Sequence, residues 1–186
     1  YRAEGDHGRL AEIHEIQARL AAAPAEKIAL LRRAAEVHER GVGDAASAFD
    51  LYRRAAREAV AEPSLDTVLA DVERLAGPLG RDVDRLALLL EIAPDIADPE
   101  ARDRIHVQAA DLALRLGDAA TARDYYRRVL DSQPAHEPAL DALEAIYQGE
   151  GDFEALLALS QQRADLSASN RTRRVGYLFK VAEICD

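Results

Sequence analysis

The segment LGDAATARDYYRRVLDSQP, Leu116–Pro134, closely resembles an earlier part of the chain. Its thirteen residues from Gly117, GDAATARDYYRRV, are identical at nine positions to GDAASAFDLYRRA, which begins 74 residues earlier at Gly43. Helical solenoids repeat a helix pair about every 33 to 47 residues, so this spacing corresponds to two helix pairs. The sequence therefore predicts a stack of helix pairs.

Turn signals repeat with a similar period along the whole chain. The aspartates that mark the turns are separated by 38, 38, 36 and 34 residues: Asp6, Asp44, Asp82, Asp118 and Asp152. A second comparison agrees, because YRAEGD at the start of the chain resembles YQGEGD at 147–152, 146 residues later. That offset is close to twice the first one, so the repeat is not a chance similarity.

Apolar residues at helical spacing, interrupted by proline and glycine, divide the chain into about ten helices. We expect Gly77–Pro78 and Gly80 to form a turn, since proline lacks an N–H group and glycine permits positive φ. Because the chain starts at a tyrosine and its end helices lack partners, we expect a fragment of a longer protein. The predicted domain is a single array over 1–186, with helix pairs 25–61, 64–96, 98–133 and 137–168 and unpaired helices 6–20 and 171–186.

The composition agrees with tiled helices. Hydrophobic residues make up 48% and charged residues 31%, and the aromatic content is only 5%, so alanines must form much of the contact between helices. The net charge of −10 opposes general binding to nucleic acid and to anionic lipid. No apolar run is long enough to span a bilayer and no signal segment is present, so we expect no membrane insertion within this segment and favour a cytoplasmic location.

The second halves of the predicted helix pairs carry a recognisable pattern. In the unit 103–136, Ala122, Tyr126 and Pro134 satisfy the pattern A-x3-F…P, and Ala48 and Tyr52 repeat its first two elements. The chain therefore resembles the tetratricopeptide repeat family, as a divergent member. The first-half pattern matches less well, because small residues and a histidine stand where Trp, Leu, Gly and Tyr are typical: His106, Ala109, Ala110 and Ala113.

This resemblance implies an all-α fold, a right-handed α-solenoid of antiparallel helix pairs with about ten helices. In that family the first helix of each pair usually lines the partner-binding groove. The lysine and asparagine set with which some members clamp a C-terminal carboxylate is absent here, so another extended or helical segment is implied. By the family's pattern, the candidate partner-binding positions are Arg32, Glu36, Glu39, Arg40, Arg104, Val107, Asp111, Arg115, Asp141 and Gln148.

No arrangement of titratable residues predicts catalysis or a bound cofactor. Acidic pairs such as Glu36 and Glu39 sit among arginines, where nothing would separate their two pKa values as acid–base chemistry requires. The histidines do not pair at i, i+3 or i, i+4, which argues against a metal site: His7, His14, His38, His106 and His136. We therefore expect no catalytic, cofactor-binding or metal-binding residues.

The repeated D-x-Y-R-R elements, 50–54 and 124–128, are interpreted as ion pairs within a helix rather than as an anion-binding motif. In each element the aspartate precedes the two arginines by three and four residues, a spacing that brings the side chains onto one helix face. The single cysteine, Cys185, excludes a disulfide scaffold, and we expect it to be a buried thiol rather than a nucleophile.

The sequence predicts a non-enzymatic protein-interaction scaffold that binds a protein or peptide segment in the solenoid groove. One alternative is a structural spacer, or a module that self-associates through its ends. A lesser alternative is nucleic-acid or phosphate binding by the basic, aromatic-containing stretch at 171–180, which has arginines at 171, 173 and 174.

Overall fold

The computed structural model of the chain describes residues 2–168 and 170–185, with the side chains of 2–5, 180 and 183–185 left out of the description. This part of the chain contains ten α-helices and no strand, which confirms the predicted all-α fold class. We call α2, α4, α6, α8 and α10 the first helices, and α1, α3, α5, α7 and α9 the second helices. The α-helices are α1 Arg2–Leu20, α2 Pro24–Glu36, α3 Ala45–Glu58, α4 Leu65–Leu79, α5 Asp82–Ile92, α6 Pro99–Arg115, α7 Ala119–Ser132, α8 Glu137–Glu150, α9 Phe153–Leu166 and α10 Arg171–Cys185.

The turn from a first helix to the next second helix has a recurring chemistry. Gly43, Gly117 and Gly151 have φ angles of 79°, 81° and 69°, the left-handed region that glycine enters without a side-chain clash. The aspartate after each of these glycines then caps the following helix, because its carboxylate accepts a hydrogen bond of 3.0 Å from the amide three residues on. The dipeptide Gly-Asp therefore ends one helix and starts the next.

The prediction for the turn after α4 is wrong in one respect. Gly77 and Pro78 lie inside α4, and the chain leaves the helix only at Gly80, whose φ is 65°. Pro78 costs α4 the hydrogen bond that would reach the Arg74 carbonyl. The preceding residue, Gly77, has no Cβ and so avoids part of the clash with the proline ring. Pro138 lies in the first turn of α8, where the amide that it lacks would have no partner within the helix.

A π-helical turn, Val37–Val42, follows α2 where the sequence predicts an ordinary helix. A comparison of two repeats shows why this turn forms. The buried pair Ala34–Ala35 ends eight residues before Gly43, whereas the buried pair Ala109–Ala110 ends seven residues before Gly117. A π-helical turn bonds residue i to i+5 and so accommodates one more residue than an α-helical turn. The extra residue in this first helix is absorbed without displacing the turn that follows.

The chain divides into two compact units, with the boundary between Arg102 and Asp103 inside α6. In the unit before this boundary, α2 packs between α1 and α3, and α3 packs between α2 and α4. The core of this unit combines large side chains with alanines, all at most 3% exposed: Ile28, Leu31, Ala34, Ala35, Ala48, Phe49, Tyr52, Ala55, Ala56, Val68 and Val72.

In the unit after the boundary, α8 packs against both α7 and α9, and α10 packs against α9. The core side chains of this unit include Ile105, Leu112, Tyr126, Val129, Leu140 and Leu143. His106 of α6 is 6% exposed, and its ring meets that of Tyr125 of α7 edge to face at 5.3 Å between centroids. The histidine that stands in place of the family's usual first-helix residue is therefore part of the packed interior.

Helix α1 packs through its small residues. Ala11 and Ala18 are at most 1% exposed, while the large apolar residues at helical spacing are 41–80% exposed: Leu10, Ile13, Ile16 and Leu20. This exposed apolar stripe is a face suited to packing against another helix.

The approach of α1 to the π-helical turn leaves no room for a side chain at Gly41. A Cβ atom built at Gly41 would lie 2.8 Å from the His7 Cγ, whereas one at Gly8 in α1 would meet nothing within 4 Å. We expect Gly41→Ala to lower the free energy of unfolding by about 1–3 kcal/mol through overpacking. The matched change Gly8→Ala should raise it by about 0.5–1 kcal/mol, since alanine favours a helix. Urea unfolding of the two variants measures both values, and equal effects would contradict the predicted contact.

Candidate interaction surface

The ten candidate residues all lie on first helices or on the π-helical turn that continues one of them. Seven are exposed, and Arg32, Glu39 and Val107 are half-buried. Four belong to the first unit: Arg32 and Glu36 on α2, and Glu39 and Arg40 on the π-helical turn. The other six belong to the second unit: Arg104, Val107, Asp111 and Arg115 on α6, and Asp141 and Gln148 on α8.

In the first unit, a row of alternating charges joins two neighbouring first helices. Arg32 of α2 donates to the Asp71 carboxylate of α4 at 2.9 Å, and a second oxygen of Asp71 lies 3.6 Å from Arg74. Arg74 in turn donates from both terminal nitrogens to the two oxygens of Glu39, at 2.5 and 2.9 Å. We call Arg32, Asp71, Arg74 and Glu39 the ion ladder. It has no net charge, and its bidentate end fixes Glu39 in one orientation.

Within the ion ladder, the pair of Glu39 and Arg74 shifts the pKa values of both side chains. The hydrogen bond from Arg74 holds the pKa of Glu39 below its usual value, against the opposing effect of desolvation. The same bond raises the pKa of Arg74. Tyr52 lies close to the ladder, and its pKa is raised to about 12 by burial and then by the charges of Asp71 and Glu39. At neutral pH Glu39 and Arg74 are therefore both charged, and Tyr52 is uncharged.

Two members of the ion ladder, Asp71 and Arg74, are absent from the sequence-based candidates. They lie on α4, a first helix for which no candidate was named. A signal was present: Asp71 follows Arg32 by 39 residues and Arg74 follows Glu39 by 35, which is close to one repeat period. Opposite charges one period apart on first helices indicate side chains that face each other in adjacent repeats.

In the second unit, several candidates are held by neighbouring side chains. Asp111 accepts a 2.5 Å hydrogen bond from the Tyr126 hydroxyl of α7. Asp141 accepts one of 2.5 Å from Arg163 of α9, a guanidinium that is almost completely buried and also lies 3.4 Å from Glu144. Gln148 contacts Glu144 at 3.4 Å within α8. The contacts from Tyr126 and Arg163 therefore orient side chains of first helices through residues on second helices.

Two clefts open in the second unit. One, which we call the α10 cleft, has a volume of about 270 Å³ and is lined by residues that include Glu137, Arg163, Asn170, Arg173 and Tyr177. The other has a volume of about 400 Å³ and combines leucines with a polar rim: Leu130, Leu143, Leu159, Arg127, Asp131 and Gln162. Both have mixed linings of apolar and charged groups.

The prediction for the D-x-Y-R-R elements is only partly correct. Arg53 lies 3.7 Å from Asp50 as expected. In the second element, however, Arg127 donates to the Tyr147 hydroxyl at 2.8 Å, and Arg128 lies 4.8 Å from the centre of the Tyr125 ring. A guanidinium gains more from a partly buried aromatic partner than from an exposed carboxylate, because water weakens the exposed ion pair.

The basic stretch at the end of the chain is an open surface. Arg171, Arg173 and Arg174 are exposed, and Arg173 lies 3.8 Å from the Glu137 carboxylate. Phe179 in the same stretch is 67% exposed. The predictions for the side chains of Lys180 and Cys185 lie outside the described residues.

Across the ranges that the structure describes, no three His, Cys, Asp or Glu side chains are grouped so as to hold a metal ion. In the same residues, no helix combines the length and the apolar character needed to cross a membrane.

Comparison with solved structures identifies the fold. A tetratricopeptide repeat protein from Parabacteroides merdae matches 81% of this chain and 57% of its own length, with a TM-score of 0.51 and 18% sequence identity. BtubC (BKLC) from P. vanneervenii matches 91% of this chain and 77% of its own length, with a TM-score of 0.48 and 17% identity. No protein-family model matches the sequence, and no curated protein matches it. The chain has a tetratricopeptide-repeat-like fold, as the sequence predicted.

The lowered pKa of Glu39 predicts a pH-dependent contribution to stability. Because the folded-state pKa lies below the usual value of 4.5, the contribution is complete above that pH and is lost as the pH falls through the lower folded value. We expect Glu39→Gln to lower the free energy of unfolding by about 0.5–1 kcal/mol near neutral pH, with a smaller difference at about pH 3. Urea unfolding across this range provides the measurement.

The matched control is the same substitution in an Arg74→Gln background, where most of the pH-dependent difference should vanish. A difference between Glu39→Gln and the unsubstituted chain that is unchanged from neutral to acidic pH would contradict the role of this ion pair.

Proposed function

We propose that the chain is a non-enzymatic protein-interaction scaffold whose first helices bind an extended or helical segment of another protein. The observation that carries the proposal is the ion ladder, which fixes charged side chains in one orientation on the exposed face of adjacent first helices. Groups held in place before binding lose little conformational entropy on contact with a partner. The tetratricopeptide-repeat-like fold supports the same class of function.

The electrostatics of the first-helix face favour binding over catalysis. A general acid at neutral pH requires a carboxyl group whose pKa is raised towards 7. Glu39 has the opposite shift, because the Arg74 guanidinium stabilises its charged form. The ion pair of Glu39 and Arg74 thus keeps its charges at neutral pH, which suits recognition of a charged or polar surface.

The partner expected on this surface is a polypeptide with charges of both signs. The ion ladder is neutral, and the exposed candidates next to it, Glu36 and Arg40, carry opposite charges. A strongly acidic or basic peptide would gain attraction from one of these two residues and repulsion from the other. A segment of alternating charge can complement both, with electrostatics contributing more to specificity and association rate than to affinity.

A paired charge reversal tests the proposal. The variant Glu36→Lys with Arg40→Glu keeps the net charge and exchanges the two signs. In affinity capture with the chain as bait and quantitative mass spectrometry, we expect at least one captured protein to be depleted about tenfold or more.

The control exchanges two exposed charges with the same four-residue spacing on a second helix, Asp124→Lys with Arg128→Glu. That variant should retain the same proteins. Equal capture by both variants and the unsubstituted chain would contradict binding at the first-helix face.

A second candidate is a spacer or self-association module, which the exposed apolar stripe of α1 favours. Such a stripe, from Leu10 to Leu20, is stabilised when another helix covers it. If the stripe mediates self-association, sedimentation velocity should show a mass that rises with concentration, and Ile13→Glu should keep the chain monomeric. A chain that stays monomeric at all concentrations and captures no protein would act as a spacer alone.

A further inference from the structure

The helix caps of this chain have one chemical exception. In the part of the chain that the structure describes, most side-chain caps are aspartates, at Asp44, Asp98, Asp118 and Asp152, and α10 is capped by Asn170. At the start of α8 the cap is His136, whose ring nitrogen Nδ1 accepts from the Ala139 amide at 3.2 Å. Histidine is the side chain whose ordinary charge change falls between about pH 8 and pH 5.

The hydrogen bond at His136 requires a neutral ring. An unprotonated Nδ1 carries the lone pair that accepts the Ala139 N–H, whereas an imidazolium ring has two N–H donors and no acceptor. Protonation therefore places two donors against each other. It also places a positive charge at the N-terminus of a helix, where the unpaired amides already carry partial positive charge. Both effects disfavour the capped geometry.

The same amide also has a backbone acceptor. The Ala139 N–H also lies 3.1 Å from the carbonyl oxygen of His136, as does that of Leu140. Pro138, at the second position of the helix, has no N–H to contribute. Loss of the ring acceptor thus loosens the first turn of α8 without leaving Ala139 wholly unbonded.

The charged groups around this turn also line the α10 cleft. The neighbouring carboxylate is that of Glu137, which lies 3.8 Å from Arg173 of α10. From α9, the side chain of Gln162 donates to the Pro134 carbonyl just before the cap. Arg163, also of α9, lines the cleft and is paired with Asp141 and Glu144 of α8. A change in the first turn of α8 therefore moves Glu137 relative to two arginines of the cleft.

We propose that His136 is a pH-sensitive cap, whose protonation releases the first turn of α8 and reshapes the α10 cleft. The capped state is present when the ring is neutral and is lost as the pH falls. The aspartate and asparagine caps keep their acceptor oxygens over the same range, so the response is local to α8. The inference is independent of the proposed partner-binding function, since it concerns the chain alone.

Nuclear magnetic resonance of the whole chain tests the cap. The readouts are the Ala139 amide proton shift and its hydrogen-exchange protection, corrected for the intrinsic pH dependence of exchange, from about pH 8 to about pH 5. We expect an upfield shift and about a fivefold loss of protection as the pH falls. The Asp152-capped amide of Ala155 serves as the internal reference and should not change.

Two variants of His136 show the behaviour expected for a cap that does not titrate and for a missing cap. His136→Asn keeps an acceptor that does not titrate, so the Ala139 amide should remain protected across the range. His136→Ala has no side-chain acceptor, so the Ala139 amide should show the reduced protection throughout, and Glu137→Gln should leave the transition in place. A transition that persists in His136→Asn, or an Ala139 amide that does not respond in the unsubstituted chain, would overturn the proposal. Far-UV circular dichroism checks that all variants keep their helices.

Discussion

Alanine pairs at the helix contacts set how closely neighbouring helices approach. Ala34–Ala35, Ala55–Ala56 and Ala109–Ala110 are completely buried, and the chain contains no tryptophan or methionine to fill a wider gap. Contacts between small residues bring helix axes to about 8 Å, the short end of the usual range. At that distance the backbones are the packing surface, so an added atom has nowhere to go. At Gly41 the same holds for a side chain, because a Cβ atom there would lie 2.8 Å from the Cγ of His7.

This close packing also explains where the long polar side chains lie. Helices separated by alanines leave an arginine on one repeat within reach of a carboxylate on the next. Arg54 meets Glu15 across 39 residues of sequence, and Arg57 meets Glu91 across 34. These pairs join second helices, as the ion ladder joins first helices. Each is worth little alone because it is exposed to water. Their combined effect is to fix which residue of one repeat faces which residue of the next.

The elements predicted correctly from the sequence are those that depend on a few residues close together in the chain. A Gly-Asp dipeptide both breaks a helix and caps the next one, so the turn at Gly117–Asp118 is predicted correctly from two residues. The π-helical turn is not predicted. The extra residue that causes it is visible only when the spacing from the alanine pair to the glycine is compared between two repeats. Pro78 is misplaced because proline usually indicates the end of a helix, whereas α4 continues through it to Leu79. The candidate residues on first helices come from the family's pattern, and their partners Asp71 and Arg74 require the three-dimensional register.

The contact between Arg74 and Glu39 changes which candidate residues are expected to bind a partner. The sequence presents Glu39 as one charge in a mixed groove, open to any cationic partner. In the structure Arg74 already occupies both of its carboxylate oxygens, so a ligand that used Glu39 would first have to displace Arg74. Such an exchange of one ion pair for another gives little net free energy. The structure therefore favours recognition by the groups beside the ion ladder, Glu36 and Arg40, with the ladder as the rigid support that orients the face they share.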